Sequence, residues 1–153
     1  MKYLLVLMMI CAFVCKVQAQ TTPAAPQSLS PANPWTDAQL IAPADLVSAI
    51  EKGGATAPTI FNIGAVDDIK GAKHIGAMNM AGSPPLLEKA IAALPKNTAI
   101  VIYCGCCPFA RCPNIRPAFL ALKQAGFTNV KLLNLPVNLK TNWIGKGYPL
   151  EGK

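Results

Sequence analysis

Charge is scarce in this chain, and histidine nearly absent. Of 153 residues only 14% are Asp, Glu, Lys or Arg, and His74 is the sole histidine. Arg111 and Arg116 are the two arginines. The basic residues are scattered: Lys70 and Lys73 lie close together, but no five-residue basic block exists, which argues against a nucleic-acid partner. There is neither a glycine-rich phosphate loop nor a serine–histidine–acid set. Beyond residue 19 no stretch approaches the ~18 unbroken apolar residues of a membrane span. What the chain does have is apolar residues, 52% of the total, in a length suited to one domain with a real core.

Residues 1–19 read as a secretory signal. Lys2 supplies a short basic start, Tyr3–Val14 an apolar run, and Val17-Gln18-Ala19 a small-residue cleavage site. A retained N-terminal anchor is the alternative, disfavoured by the shortness of that run. Removing Lys2 and Lys16 lowers the net charge from +7 to +5. The expected location is periplasmic or secreted, with no membrane span after removal of the signal. Residues 20–34 are rich in Pro, Ala, Ser and Gln, carry no charge and read as a linker. The folded domain is expected over residues 35–150.

Signal removal also takes two of the six cysteines, leaving Cys104, Cys106, Cys107 and Cys112 within nine residues. A disulfide framework spreads its cysteines to close long loops. This cluster closes almost nothing, so its purpose is chemical rather than stabilising.

The pattern along the domain alternates. Asp45–Ile50 after Pro43 reads as a helix with Leu46, Val47 and Ile50 on one face, ended by Gly53-Gly54. Thr59–Ile63 fits a buried strand, and Ile75–Met80 a weaker one. Pro84–Leu94 suits a helix. Ala99–Tyr103, apolar throughout, reads as the central strand, covered on both faces. Ile115–Gln124 is helical in pattern, Val130–Leu133 a strand, and Thr141–Gly147 a terminal helix. The predicted fold is α/β, a mainly parallel central sheet with helices on both faces. Ligands of such sheets sit at the carboxyl ends of the strands, where Cys104 stands.

A buried strand ending in Val101-Ile102-Tyr103-Cys104, a short loop, then a helix carrying Ala118–Phe127 resembles a rhodanese domain. His74-Ile75-Gly76-Ala77-Met78-Asn79 is similar to that family's His-Ile-Pro-Gly-Ala-x-Asn stretch without the proline, and Asn129–Leu133 followed by Trp143 and Gly147-Tyr148-Pro149 resembles its closing strand and helix. The likeness covers most of residues 43–150. It implies a sulfurtransferase that takes sulfane sulfur from a small donor such as thiosulfate, holds it as a persulfide and passes it to a thiol acceptor. The nucleophile's position falls on Cys104. A ring of loop N–H groups and the next helix's N-terminus would favour its thiolate.

The chain departs from the family pattern in two places. Six residues rather than four separate Cys104 from Arg111; Cys106 has the usual four, which makes it a rival nucleophile or a relay. Asn62-Ile63-Gly64 stands where the family has Asp-x-Arg. No cysteine meets the cysteine–five residues–arginine spacing of the phosphatase version of this fold.

Cys107 and Cys112 are read with Cys106 as relay thiols or as members of a loop-pinning disulfide, Cys106–Cys112 or Cys107–Cys112. A soft ion such as Cu(I) or Zn(II) is the third reading, placed behind these two because the spacing is not a standard zinc pattern. The leading reading therefore carries no cofactor and no metal. The alternative is a non-catalytic thiol module that binds copper or zinc or serves a redox partner protein. Arg111 and Arg116 are candidate ligands for an anionic donor, Arg116 ranked second because it can brace its helix instead. His74 reads as a structural turn residue, and Asp67-Asp68 as a solvated turn without a partner.

Overall fold

The structure, a computed structural model, describes residues 32–153. The predicted signal and most of the linker lie outside the described residues. The elements are strand β1 (Leu40–Ile41), helix α1 (Pro43–Lys52), β2 (Thr59–Asn62), β3 (Ala72–His74), α2 (Ser83–Ile91), β4 (Ile100–Tyr103), α3 (Ile115–Gln124), β5 (Val130–Leu133) and α4 (Leu139–Asn142), with short 3-10 turns between some of them.

The five strands form one sheet in the order β1-β5-β4-β2-β3, every neighbour pair parallel. β4 lies at the centre because Ile100-Val101-Ile102-Tyr103 is apolar at every position, so neither face needs water. Its side chains alternate between two cores. Ile100, Ile102 and then Cys104 join Phe61 and Leu132 beneath Leu87 and Ile91 of α2 and Ile115, Phe119 and Leu122 of α3. Val101 and Tyr103 join Ile60 and Leu133 beneath Leu46 of α1, Leu139 of α4 and Trp143. Helices thus cover both faces of a parallel sheet, the α/β architecture that the alternating pattern predicts. Each fully buried large aliphatic or Phe side chain in these layers contributes about 1.5–3 kcal/mol.

Helix ends follow local chemistry. Pro43 occupies the first turn of α1, where no N–H is needed, and Gly53 ends it at φ 59°. Two expectations are corrected. The strand beside β2 is Ala72–His74, not Ile75–Met80: the Asn62 carbonyl accepts from both Ile75 N and Gly76 N, and Gly76 at φ 89° takes the chain out of the ladder. The terminal helix is shorter than predicted and starts earlier, because Asn138 caps α4 by accepting from Thr141 N at 2.8 Å. A separate 3-10 turn, Ile144–Lys146, then ends at Gly147.

Candidate functional site

β4 delivers Cys104 to the carboxyl edge of the sheet, and the ladder extends alongside it through Ile63 N donating to Tyr103 O at 2.9 Å. Gly105 follows at φ 74°, a left-handed turn that an L side chain resists. A Cβ there would also stand 2.8 Å from Leu139 Cβ. This turn folds Cys106 back until its Sγ is 3.2 Å from that of Cys104. The loop is tied at two further points, by Leu139 N to Gly105 O (2.8 Å) and by Phe109 N to Leu135 O (3.1 Å). A 3-10 turn, Phe109–Arg111, then brings Cys112 back beneath the strand end.

The Sγ atoms of Cys104, Cys106 and Cys112 all lie within 4.8 Å of one another. Cys107 Sγ stands outside that group, 3.5 Å from Cys106 Sγ. All four cysteines are free thiols here, so the structure has neither loop-pinning disulfide. Cys104 is 2% exposed and Cys112 6%, whereas Cys106 is exposed.

Asn114, 5% exposed, is a site residue that sequence reasoning missed. It occupies the N-cap of α3, yet its side chain caps nothing. Its Nδ2 donates to Cys104 Sγ at 3.3 Å, and its Oδ1 accepts from Asn79 N at 3.3 Å. An asparagine before a helix reads as an ordinary cap, so the sequence gives no sign that it serves a sulfur.

These neighbours divide the thiols electrostatically. Donation from Cys112, then Asn114 and Cys106, outweighs the burial that opposes ionisation and lowers Cys104 to about 5. Partial desolvation and donation to Cys104 and Cys107 push Cys106 up to about 12. Cys112 is raised further still, first by donating to Cys104 and then by burial. One sulfur carries the negative charge, and the two beside it hold protons.

The donors differ from those expected. The backbone contribution at Cys104 comes from Cys106, while the N–H groups of Asn114 and Ile115 at the start of α3 turn to Cys112. The longer loop brings thiols and an amide to the anion in place of a full ring of main-chain donors.

Gly64 seals the opposite side. A Cβ there would lie 2.9 Å from both the carbonyl carbon and Sγ of Cys104, so only glycine allows this approach. Gly64 N donates to Asn62 Oδ1 at 3.0 Å, and Asn62 Nδ2 in turn reaches Val66 O (2.8 Å) and Asp68 Oδ1 (2.7 Å). His74 Nδ1 stands 3.0 Å from the same Asp68 oxygen. His74 Nδ1 also stands 3.2 Å from Asn62 Nδ2. Asp68 therefore has partners and Asp67 pairs with Lys153 at 3.2 Å, contrary to the expected lack of a partner, while Asp67 itself is exposed as a solvated turn predicts. Tyr103 pins the same segment, its hydroxyl accepting from Ile69 N and donating to Asp67 O. Burial keeps that phenol protonated.

Beside the thiols opens a cleft of about 330 Å³, lined by Val66, Asp67, Gly105, Cys106, Leu139 and Lys140 among others. Cys106 is the cluster's cysteine in its wall. Arg111 is exposed on the 3-10 turn, and none of the described hydrogen bonds joins its guanidinium to a cysteine. Arg116 extends the other way: its guanidinium donates to Ala32 O (3.0 Å) and Asn33 Oδ1 (3.3 Å) and lies 5.7 Å from the Trp35 ring centroid. Trp35 stacks edge-on to Phe119 and at a tilt to Phe109, so Arg116 braces the start of the domain against α3.

No protein-family model matches the chain, and no curated protein matches it. The fold and the geometry of the thiol cluster therefore carry the functional reading.

Proposed function

We propose that this chain is a sulfurtransferase or persulfide carrier of the rhodanese-like kind, with Cys104 as the nucleophile. The observation that supports the reading is the position of Cys104 at the carboxyl end of the central strand, ionised at neutral pH by three side-chain donors. Its thiolate attacks the sulfane sulfur of thiosulfate; the sulfur–sulfur bond of the donor breaks, and sulfite leaves with the electron pair. The product is a Cys104 persulfide anion, so charge is conserved and no oxidant is needed. The same donors that favour the thiolate suit the persulfide anion.

Cys106 is suited to the second step. At 3.2 Å it can take the outer sulfur as its own proton passes to Cys104, which moves the persulfide to an exposed side chain in the cleft wall. An acceptor thiolate then removes it. Export by residues 1–19 belongs to the same proposal and makes a thiosulfate-like donor outside the cytoplasm the natural substrate.

The test is reaction of the reduced chain with thiosulfate, followed by peptide-resolved mass spectrometry. One added sulfur is expected, initially on Cys104. Cys104→Ser should abolish the addition, and Cys106→Ser should retain it while slowing release to an acceptor thiol, because the persulfide then stays on the buried Cys104. Should Cys104→Ser gain sulfur at the wild-type rate while Cys106→Ser does not, Cys106 is the nucleophile and the strand-end argument fails.

A further inference from the structure

We infer that Cys104, Cys106 and Cys112 together form a three-coordinate site for a soft monovalent metal ion, Cu(I). This goes beyond sulfur transfer, because it needs Cys112 as a ligand and does not depend on Cys104 being a nucleophile.

With metal–sulfur bonds of about 2.3 Å, three sulfurs arranged in a plane around one ion stand about 4.0 Å apart. The three Sγ atoms already lie within 4.8 Å of one another, with Cys104 and Cys106 at 3.2 Å, so changes of about 1 Å bring them to that spacing. Cys106 sits on an exposed loop next to Gly105 and can make that adjustment. Cys104 and Cys112 are fixed, one by the sheet and the other by the 3-10 turn and the start of α3.

Donor type and number select the ion. Thiolates are soft ligands that favour Cu(I). Zn(II) in a closed site takes four donors in a tetrahedron. Among the described residues the cluster contains three thiols and no histidine or carboxylate. His74 is engaged with Asp68. Cys107 is adjacent to Cys106 in sequence and outside the three-sulfur group, so it is not a fourth ligand. Three soft donors without a fourth match a trigonal monovalent ion and leave a tetrahedral divalent ion incomplete. Binding releases the proton of each neutral thiol that ligates, and no electron is transferred.

Metal and sulfur compete for Cys104. A Cu(I)-loaded chain should not acquire sulfur from thiosulfate until the ion is removed, yet the metal site stands or falls without that reaction.

The experiment uses the full chain bearing Cys11→Ser and Cys15→Ser, so that only the four clustered thiols remain. The reduced protein is titrated anaerobically with Cu(I) against a chromophoric Cu(I) chelator. One equivalent is expected to stay with the protein. Cys106→Ser and Cys112→Ser should each weaken retention at least 10-fold, and Cys107→Ser should leave it unchanged. X-ray absorption of the loaded protein should show three sulfur neighbours, a readout that holds even if Cys112→Ser fails to fold. The inference is overturned if the chelator takes all the copper, if the ion has two sulfur neighbours, or if Cys107→Ser weakens binding as much as Cys112→Ser. Tighter retention of Zn(II) than of Cu(I) would also overturn it.

Discussion

Removing the Asn114 amide tests whether side-chain donors, rather than the helix, set the charge on Cys104. Asn114 Nδ2 donates to Cys104 Sγ at 3.3 Å in a setting where both residues are at most 5% exposed. A hydrogen bond to a charged group contributes about 1.5–3 kcal/mol, and one pKa unit corresponds to about 1.4 kcal/mol. Asn114→Ala should therefore raise Cys104 from about 5 to roughly 6–7. Asn114→Asp should raise it further, because a carboxylate beside the sulfur repels the thiolate. That variant keeps an acceptor for Asn79 N, so a merely structural role for Asn114 predicts the reverse order of damage. The assay is the pH dependence of Cys104 alkylation by iodoacetamide, read peptide by peptide; burial slows the rate without moving its inflection. An inflection in Asn114→Ala unchanged from wild type would refute the reasoning, as would equal shifts in the two variants.

Stability of the reduced protein should depend on pH through the same residue. Cys104 binds its proton with a pKa near 9 when unfolded and about 5 when folded, so between those values the native state holds fewer protons. Stability should rise from pH 5 to pH 9, and urea denaturation of Cys104→Ser should show that rise removed, a difference on the order of 2–3 kcal/mol at pH 7. Above about 9 the trend should reverse, since Cys106 and Cys112 remain protonated when folded. Gly64→Ala should cost about 1–3 kcal/mol by overpacking against Cys104 and lower persulfide formation, which thermal melting and the thiosulfate reaction would measure; wild-type values in both would contradict the close approach. Asn62→Leu should cost about 2–6 kcal/mol, because Gly64 N and Val66 O each lose their partner at about 1–3 kcal/mol, and chemical denaturation showing less than about 1 kcal/mol would count against the network.

How much of this was legible beforehand depends on how local the signal is. The expected helix Ile115–Gln124 and strand Val130–Leu133 coincide with α3 and β5, and Ala99–Tyr103 with β4 to within one residue, because apolar runs and helical periodicity are written in consecutive residues. Edge strands are not. Leu40–Ile41 is too short to show a period, and Ala72-Lys73-His74 is polar because it lies at the margin of the sheet. At the site, the cysteine clustering pointed to chemistry and the strand end to Cys104, but neither could say which thiol holds the charge. That division arises from Asn114 and Cys112, ten and eight positions away, converging on one sulfur. Gly64 stood out only as a departure from a familiar motif. Its reason is an approach between two strand ends that no pattern in the sequence records.

The thiol cluster separates reactivity from visibility. Alternation along β4 puts the Cys104 side chain into the layer under α2 and α3, while the cleft opens among Val66 and Leu139 of the opposite layer. Beyond the turn at Gly105 the chain sets the exposed Cys106 beside the buried Cys104, so the ionised sulfur is hidden and the sulfur facing solvent is protonated. A bulky disulfide such as oxidised glutathione meets Cys106, which at neutral pH is a poor nucleophile, and cannot reach Cys104. Mixed-disulfide blockage is thereby discouraged by burial of one thiol and protonation of the other, and the cluster can keep an activated thiolate without offering it to every disulfide in its surroundings.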